Sequence, residues 1–287
     1  MSKLVSAVIT THNRVDLLKR AIASVLNQTY SNVECVVVDD ASTDDTNVYC
    51  ESLPINYIRI SPDERRGGNY ARNKGILAAK GEYVAFLDDD DYWHTNKIEE
   101  QMNLVREKNA KVVYCGERLE FVDSDGVRCE DLLPVKWMNG DISRKILYNI
   151  CTTTSCLLVE KKLLEDIGLF DESISFWQEY ELSIRLAQKV EFYSVNSPLI
   201  TYRINKRDPL RLTNKFFKWK DSVRMIKEKH NNLFSTLTFA ERIKAYTLYV
   251  MDAKLRSKNS GLTFYWLYYS MISIPLRFFR KLSNLNN

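Results

Sequence analysis

The stretch EYVAFLDDDDYW, Glu82–Trp93, sets five mostly apolar residues, Tyr83–Leu87, directly against four aspartates, Asp88–Asp91. The apolar run has the length and composition of a strand buried on both faces. Four carboxylates crowded at its end repel one another, and a soluble protein keeps them there only if opposite charge joins them. An oxygen-only donor set suits Mg2+ or Mn2+, which take one or two carboxylates together with phosphate oxygens. Along extended backbone, residues i and i+2 face the same way, so Asp88 pairs with Asp90 and Asp89 with Asp91. The plainer alternative is an exposed acidic turn ahead of the next helix, since aspartate favours helix N-termini. The buried strand in front of it weighs against that reading.

Upstream, the strand is one of several. Short β-rich runs lie at Leu4–Thr10, Val33–Val38 and Asn56–Ile60, and helix-period segments at Asp16–Asn27, Asp44–Glu51, Asn69–Ala79 and Lys97–Lys108. Strand alternating with helix predicts an α/β fold with a parallel sheet covered on both faces. Beyond residue 110 the rhythm breaks. KVVYCG predicts a strand, RLEFVDSDGVRCE a hairpin turning at Asp125-Gly126, and residues 139–148 a helix. CLLVE reads as a strand, Lys161–Asp166 and Trp177–Gln188 as helices, and Val190–Val195 and Leu199–Ile204 as two further strands. The second half is therefore a mixed sheet, and from Thr213 onward the pattern is helical.

In open α/β sheets, ligands bind beyond the carboxyl ends of the parallel strands. The first strand runs into Thr10-Thr11-His12-Asn13-Arg14, the second into Asp39-Asp40-Ala41-Ser42-Thr43-Asp44, and the fourth into the aspartates. RRGGNYARNKG, Arg65–Gly75, sets a glycine pair ahead of a helix carrying Arg72. Glycine lets backbone approach a ligand, and helix-start amides with an arginine suit phosphate. Alone, such a pair is a turn in most proteins; beside acidic strand ends of the same sheet it points to a ligand. No GxGxxG follows the first strand and no GxxxxGK[ST] occurs, which argues against dinucleotide-dependent dehydrogenases and P-loop NTPases.

SAVITTHNR, VVVDDASTDDT, GGNYARNKGI and FLDDDDYW, in that order and spacing, resemble the family two glycosyltransferases of the GT-A fold, over roughly Val5 to Arg203. The resemblance implies a mainly parallel mixed sheet flanked by helices. It implies transfer of a sugar, with inversion, from a nucleotide diphosphate sugar, usually a UDP-sugar. The acceptor it implies is a glycan or undecaprenyl-linked hydroxyl in O-antigen or capsule synthesis, with Mn2+ or Mg2+ as cofactor. Carried over motif by motif, Thr10, Thr11 and Arg14 line the nucleotide pocket, Asp39 meets the base or ribose, Asp40 supports its loop, and Arg72 lies near the base or diphosphate. FLDDDDYW is similar to the family's F-L-D-x-D-D-x-W, which gives Asp88 and Asp90 the DxD roles, with Asp90 as direct metal ligand. Asp89 then supports the nucleotide-sugar site, and Asp91 is supporting or exposed.

WQEYELSIRLA resembles the family's Glu-Asp-x-Asp-Leu helix start, which carries the catalytic base. Register puts Glu179 at the base position, a glutamate where the family has aspartate, with Glu181 as fallback; Trp177 falls on the acceptor side. In PLITYRIN, Asn205 stands where many relatives carry histidine, leaving the diphosphate charge to Arg203 and Lys206 or a metal position to water. Two other classes stay open: a metal-dependent nucleotidyltransferase, and a non-catalytic scaffold that binds sugar nucleotides.

The chain has 287 residues and a net charge of +4. From Arg203 onward 18 Lys and Arg face 5 Asp and Glu, which leaves the preceding part acidic. Residues 1–210 read as the catalytic domain, with 1–115 its nucleotide-binding half and 116–210 its acceptor-side half. Residues 211–287 read as a basic, aromatic helical extension. FFKWK (Phe216–Lys220) and FYWLYYSMISIPLRFFRKL (Phe264–Leu282) combine aromatic and basic residues, which suits peripheral contact with anionic lipid. Packing in a helical bundle or a homo-oligomer contact is the alternative, and nucleic acid is not an expected partner. The run Leu262–Leu276 falls short of the roughly 20 residues a spanning helix needs and contains Pro275. None of the six cysteines forms a CxxC pair, and Lys3 is followed by a strand pattern rather than a leader. Reduced core cysteines and a cytoplasmic location, peripheral on the inner face of the cell membrane, are the expectation.

Overall fold

In a computed structural model, which describes residues 2–123, 126–205 and 215–284, the apolar runs of the first hundred residues form four parallel strands. They are β1 (Val5–Thr11), β2 (Val33–Asp39), β3 (Asn56–Arg59) and β4 (Tyr83–Asp88), ordered β3-β2-β1-β4. Between them run α1 (Val15–Leu26), α2 (Thr46–Glu51) and α3 (Gly68–Ala78). β4 is buried from Tyr83 through Leu87 and first opens at Asp88. Thr10 is in register with both Val38 and Asp88, and Thr11 with Asp39, so three strands end along one line.

The sheet continues as a mixed one. β5 (Tyr92–Trp93), α4 (Lys97–Lys108), β6 (Val112–Asp123), β7 (Gly126–Leu132), β8 (Leu158–Glu160), α5 (Lys161–Asp166), α6 (Gln178–Ala187) and β9 (Phe192–Asn205) follow. β8 lies antiparallel between β4 and β6, β9 runs parallel to β6, β5 pairs antiparallel with β9, and β7 pairs with β6 off the main path. The two strands expected at 190–204 are one, β9. The break read at Pro198 is a register shift opposite Gly116, because proline lacks a ladder donor but is tolerated at a bulge. β6 likewise runs on without interruption into the expected hairpin, whose turn at Asp125 lies outside the described residues. The helix expected over 139–148 is absent. Gly140 (φ 75°) exchanges both backbone hydrogen bonds with Phe192, at 2.8 and 3.0 Å, and only Lys145–Tyr148 closes into a 3-10 turn.

Two units separate by their contacts. One holds the chain up to Ile142, Cys151–Ser173 and the stretch from Gln178 through β9; the other holds Ser143–Ile150, Ile174–Trp177 and the C-terminal helices. The core of the first is the sheet with α1 and α4, centred on residues such as Ile9, Ile22, Leu87, Ile98 and Val113. In the second, α7 (Phe216–Lys229), α8 (Asn231–Ser235), α9 (Phe239–Asn259) and α10 (Thr263–Asn284) pack around Phe216, Trp219, Tyr249 and Tyr269. Thr238 and Glu241 form a capping box at the start of α9, and Glu241 also receives the Arg144 guanidinium at 2.7 and 2.6 Å. All six cysteines are free; Cys35, Cys50, Cys115 and Cys156 are buried and Cys129 is exposed. Among the described residues no helix is long and apolar enough to cross a membrane.

α3 lies so close to the sheet that a β-carbon on Gly75 would sit 2.4 Å from Val8 Cγ1 and 3.1 Å from Val38 Cγ2. That approach sets the height of Arg72, one turn earlier. Gly75→Ala should therefore destabilise the protein by ~1–3 kcal/mol through overpacking, seen as a lower urea midpoint with unchanged m-value.

Candidate active site at the strand ends

The line where β1, β2 and β4 end is built from loops held in unusual backbone. Asn13 (φ 55°) and Ala41 (φ 60°) both occupy the left-handed region directly after their strands. Asparagine tolerates that conformation, whereas alanine does so only when its surroundings impose it. The two loops bind each other: Asn13 N–H donates to Ser42 Oγ at 2.8 Å, and Thr43 N–H donates to Asn13 Oδ1 at 2.7 Å. Asp39, fully buried, accepts Ser42 N–H and the Tyr57 hydroxyl, each at 2.8 Å. Asp40 accepts Arg65 Nε at 3.1 Å, and its Oδ1 is buried with no hydrogen-bond partner among the described residues. Thr10 is half-buried on the same edge.

The four aspartates face different surroundings. Asp88 accepts Arg72 Nη2 at 2.6 Å, and Arg72 is in turn held by Asn69 at 3.2 Å. Arg14 Nη1 bridges Asp89 and Asp90, 3.2 Å from each, and Thr11 Oγ1 donates to Asp89 at 2.7 Å. Asp91 turns inward and accepts the Ser155 hydroxyl at 2.7 Å, leaving its Oδ1 buried with no partner among the described residues. Ser155 Oγ also accepts the Asp88 N–H at 3.1 Å. The side chains of Asp88 and Asp90 remain 35% and 32% exposed, while Asp89 and Asp91 are buried. Burial, then the neighbouring charge of Asp90, pushes the Asp89 carboxyl up to about 7 against the pull of Arg14 and Thr11. Burial and the charges of Asp90 and Asp88 raise Asp91 well above the ordinary carboxylate range. Burial thus disfavours the charged forms of Asp89 and Asp91.

Of the acidic pair on α6, Glu181 is buried and takes the Arg185 fork at 2.9 and 2.7 Å. Glu179 is half-buried in the same first turn. The loop ahead of α6 is tied to α3: Asn73 donates to Phe170 O at 3.0 Å and Asn69 to Asp171 O at 2.8 Å. Arg203, on β9, pairs with Glu120 at 3.2 Å. Glu120 also accepts the Tyr92 hydroxyl at 3.3 Å, one residue beyond the aspartates. Trp177 belongs to the second unit, where it is buried edge-on to Trp219 at 5.7 Å, with φ 57°. Asn205 lies at the end of β9, and Lys206 is outside the described residues.

Three participants were not singled out by the sequence, although Arg65 opens the glycine-pair stretch. Arg20, on α1, donates to the Asp90 carbonyl at 2.7 Å with its guanidinium 4.5 Å from the Tyr92 ring centre. Ser155 anchors Asp88 and Asp91, and Arg65 closes on Asp40. Arg20 lies six residues after Arg14, which is not a same-face helical spacing, so the local pattern does not single Arg20 out.

The donor set fits a divalent cation. Asp88 and Asp90 present accessible carboxylate oxygens that could hold one, and Mg2+ or Mn2+ typically takes one or two carboxylates with phosphate and water completing the shell. Among the described residues no three His, Cys, Asp or Glu side chains form a metal cage by themselves. A cation here would thus need ligand oxygens as well.

Residues 6–168 match the family model described as Glycosyl transferase family 2. The uncharacterized glycosyltransferase RP339 of Rickettsia prowazekii is 34% identical over 212 residues, 71% of this chain and 65% of its own length. The chain therefore spans just under two thirds of that curated relative. WfaP of Escherichia coli, named a UDP-Glc:alpha-D-GlcNAc-diphosphoundecaprenol beta-1,3-glucosyltransferase, is 37% identical over 119 residues, 41% of this chain and 47% of its own. Among solved structures, the mannosyltransferase PcManGT of Pyrobaculum calidifontis, in complex with GDP-Man and Mn2+, superposes with a TM-score of 0.59 at 18% identity. It covers 99% of this chain and 88% of its own. The shared architecture is the GT-A fold that the strand-end motifs lead one to expect.

The two glutamates of α6 should separate in stability measurements. Glu181→Ala leaves Arg185 buried without its counter-charge and should cost roughly 3–5 kcal/mol in urea unfolding. Glu179→Gln should change stability by less than about 1 kcal/mol.

Proposed function

The chain belongs to glycosyl transferase family 2, and on that premise we propose that it moves a sugar, with inversion, from a nucleotide diphosphate sugar to a hydroxyl of a lipid-linked glycan. The observation that carries this reading is the convergence of Thr10, Thr11, Asp39 and Asp88 on one sheet edge, with Arg14 and Arg72 supplying positive charge against the aspartates.

In this reading the loop over Asp39 and Asp40 receives the nucleoside. Thr10, Thr11 and Arg14 line its pocket, and Asp89 fixes Arg14 there. Arg72, held in place by Asn69, lies beside the diphosphate. Asp90, with Asp88, would hold Mn2+ or Mg2+, which when bound supplies positive charge to a leaving diphosphate. Glu179 accepts the proton of the acceptor hydroxyl as that oxygen attacks the anomeric carbon and the bond to the diphosphate breaks on the opposite face. Its partial exposure at a helix start supports this role; the buried ion pair of Glu181 does not. Arg203 offers further charge on the diphosphate or acceptor side.

The donor we favour is a UDP-sugar and the acceptor a diphosphoundecaprenol-linked glycan, as in the name of the relative WfaP. The product in this reading is an O-antigen or capsule glycan, and a lipid-carried acceptor would put the reaction at a membrane surface.

The test is turnover of UDP-sugars with Mn2+ and a synthetic prenyl-diphosphate sugar, read as released nucleoside diphosphate. EDTA should abolish it, and Asp90→Ala should lower it by about a hundredfold or more, several kcal/mol of lost charge stabilisation. Glu179→Gln should keep donor binding and lose transfer by about 10²–10⁴-fold. Pyrophosphate as the product would establish a nucleotidyltransferase instead.

A further inference from the structure

α10 carries apolar residues where a packed helix carries charge. Its outward residues in the described part, from Phe264 on, are Phe264, Leu267, Tyr268, Met271, Ile274 and Pro275, with no ionisable group but the tyrosine. Phe264 is 77% exposed, Met271 71% and Ile274 70%. At 100° per residue these positions fall in one stripe about 120° wide. The inward side is already satisfied, with Tyr269 and Ser273 buried and Tyr269 bonded to Tyr249 at 3.1 Å. The stripe is therefore a second apolar face on a helix whose first is occupied. A solvated helix of this kind would place Lys, Glu or Gln there.

The charge of this part of the chain names the occupant. Arg256 is paired with Asp252 at 2.7 Å, and apart from that pair the sequence after Asp252 carries Lys254, Lys258, Arg277, Arg280 and Lys281 with no Asp or Glu. A second copy of the chain docked through the same stripe would bring two such basic segments together, since a twofold contact is self-complementary. An anionic bilayer surface opposes them with negative charge and accepts the apolar stripe among its headgroups.

We propose that the outer face of α10 is a membrane-docking surface, the helix lying in the plane of an anionic bilayer with Phe264, Leu267, Met271 and Ile274 inserted. The attachment is reversible and superficial, because no described helix is long and apolar enough to span. It is independent of the proposed chemistry, since it needs neither donor nor acceptor.

Flotation of the full chain with vesicles free of glycan and prenyl lipid tests it. The protein should float with phosphatidylglycerol-containing vesicles, stay below with pure phosphatidylcholine, and partition less as salt rises. Met271→Glu with Ile274→Glu, both on exposed positions, should lower partitioning by at least about tenfold at unchanged circular dichroism. Phe264→Ser should act in the same direction. Failure of the unmodified chain to float with anionic vesicles overturns the proposal, as does equal flotation of the double variant. A dimer in light scattering that the double variant dissolves, with no vesicle binding, assigns the stripe to a second copy and overturns it too.

Discussion

Carboxylates crowded where a buried strand opens to solvent are the constraint on which the first unit depends. Repulsion at Asp88–Asp91 has to be relieved, and the fold relieves it separately at each position. Arg72 neutralises Asp88 from α3, and Arg14 spans Asp89 and Asp90 from the start of α1. Asp91 is withdrawn into an apolar surround, where burial favours its neutral form. Much of the neighbouring architecture keeps these partners in position. Gly75 lets α3 approach β1 closely, Ser155 bonds two aspartates at once, and the loop of Phe170–Glu172 is tied to the helix that carries Arg72.

The arrangement also makes the site responsive to charge. Asp88 and Asp90 are the accessible members of the cluster, and each is paired with an arginine. In the proposed reading, a cation held by them would compete with the guanidinium groups for the same oxygens, and the arginines would then be positive groups beside the donor's phosphates. The left-handed backbone at Asn13 and Ala41 belongs to the same economy of space. It turns both loops sharply enough to leave the sheet edge open, and the cross-bonds between Asn13, Ser42 and Thr43 hold that conformation.

Much of the fold was legible because the first hundred residues obey one rule repeatedly. Buried parallel strands leave continuous apolar runs, and the helices between them leave a different period, so β1 to β4 and their helices are found within a residue or two. The second half obeys no single rule. Pro198 looked like a strand break and is a bulge, because an opposite strand with Gly116 can absorb the slip. Residues 139–148 had helical composition, but a long-range pairing of Gly140 with Phe192 decided their conformation. Tertiary contacts of that kind leave no mark on a local pattern.

Within the candidate site, residue types were legible and their environments were not. The i, i+2 alternation separates Asp88 and Asp90 from Asp89 and Asp91, yet only the fold shows which pair faces solvent. Glu179 and Glu181 make the same point more sharply. On a helix, residues two apart point about 200° away from each other, so one of the pair must turn inward if the other turns out. Nothing in QEYEL says which. The answer comes from Arg185, four residues after Glu181 on the same helical face, which draws that carboxylate into a buried pair and also donates to Ile167 O at 2.7 Å. An acid bound in that way ties its helix to the end of α5 through Arg185, and Glu179 is the less buried member of the pair, as the proposed base role requires.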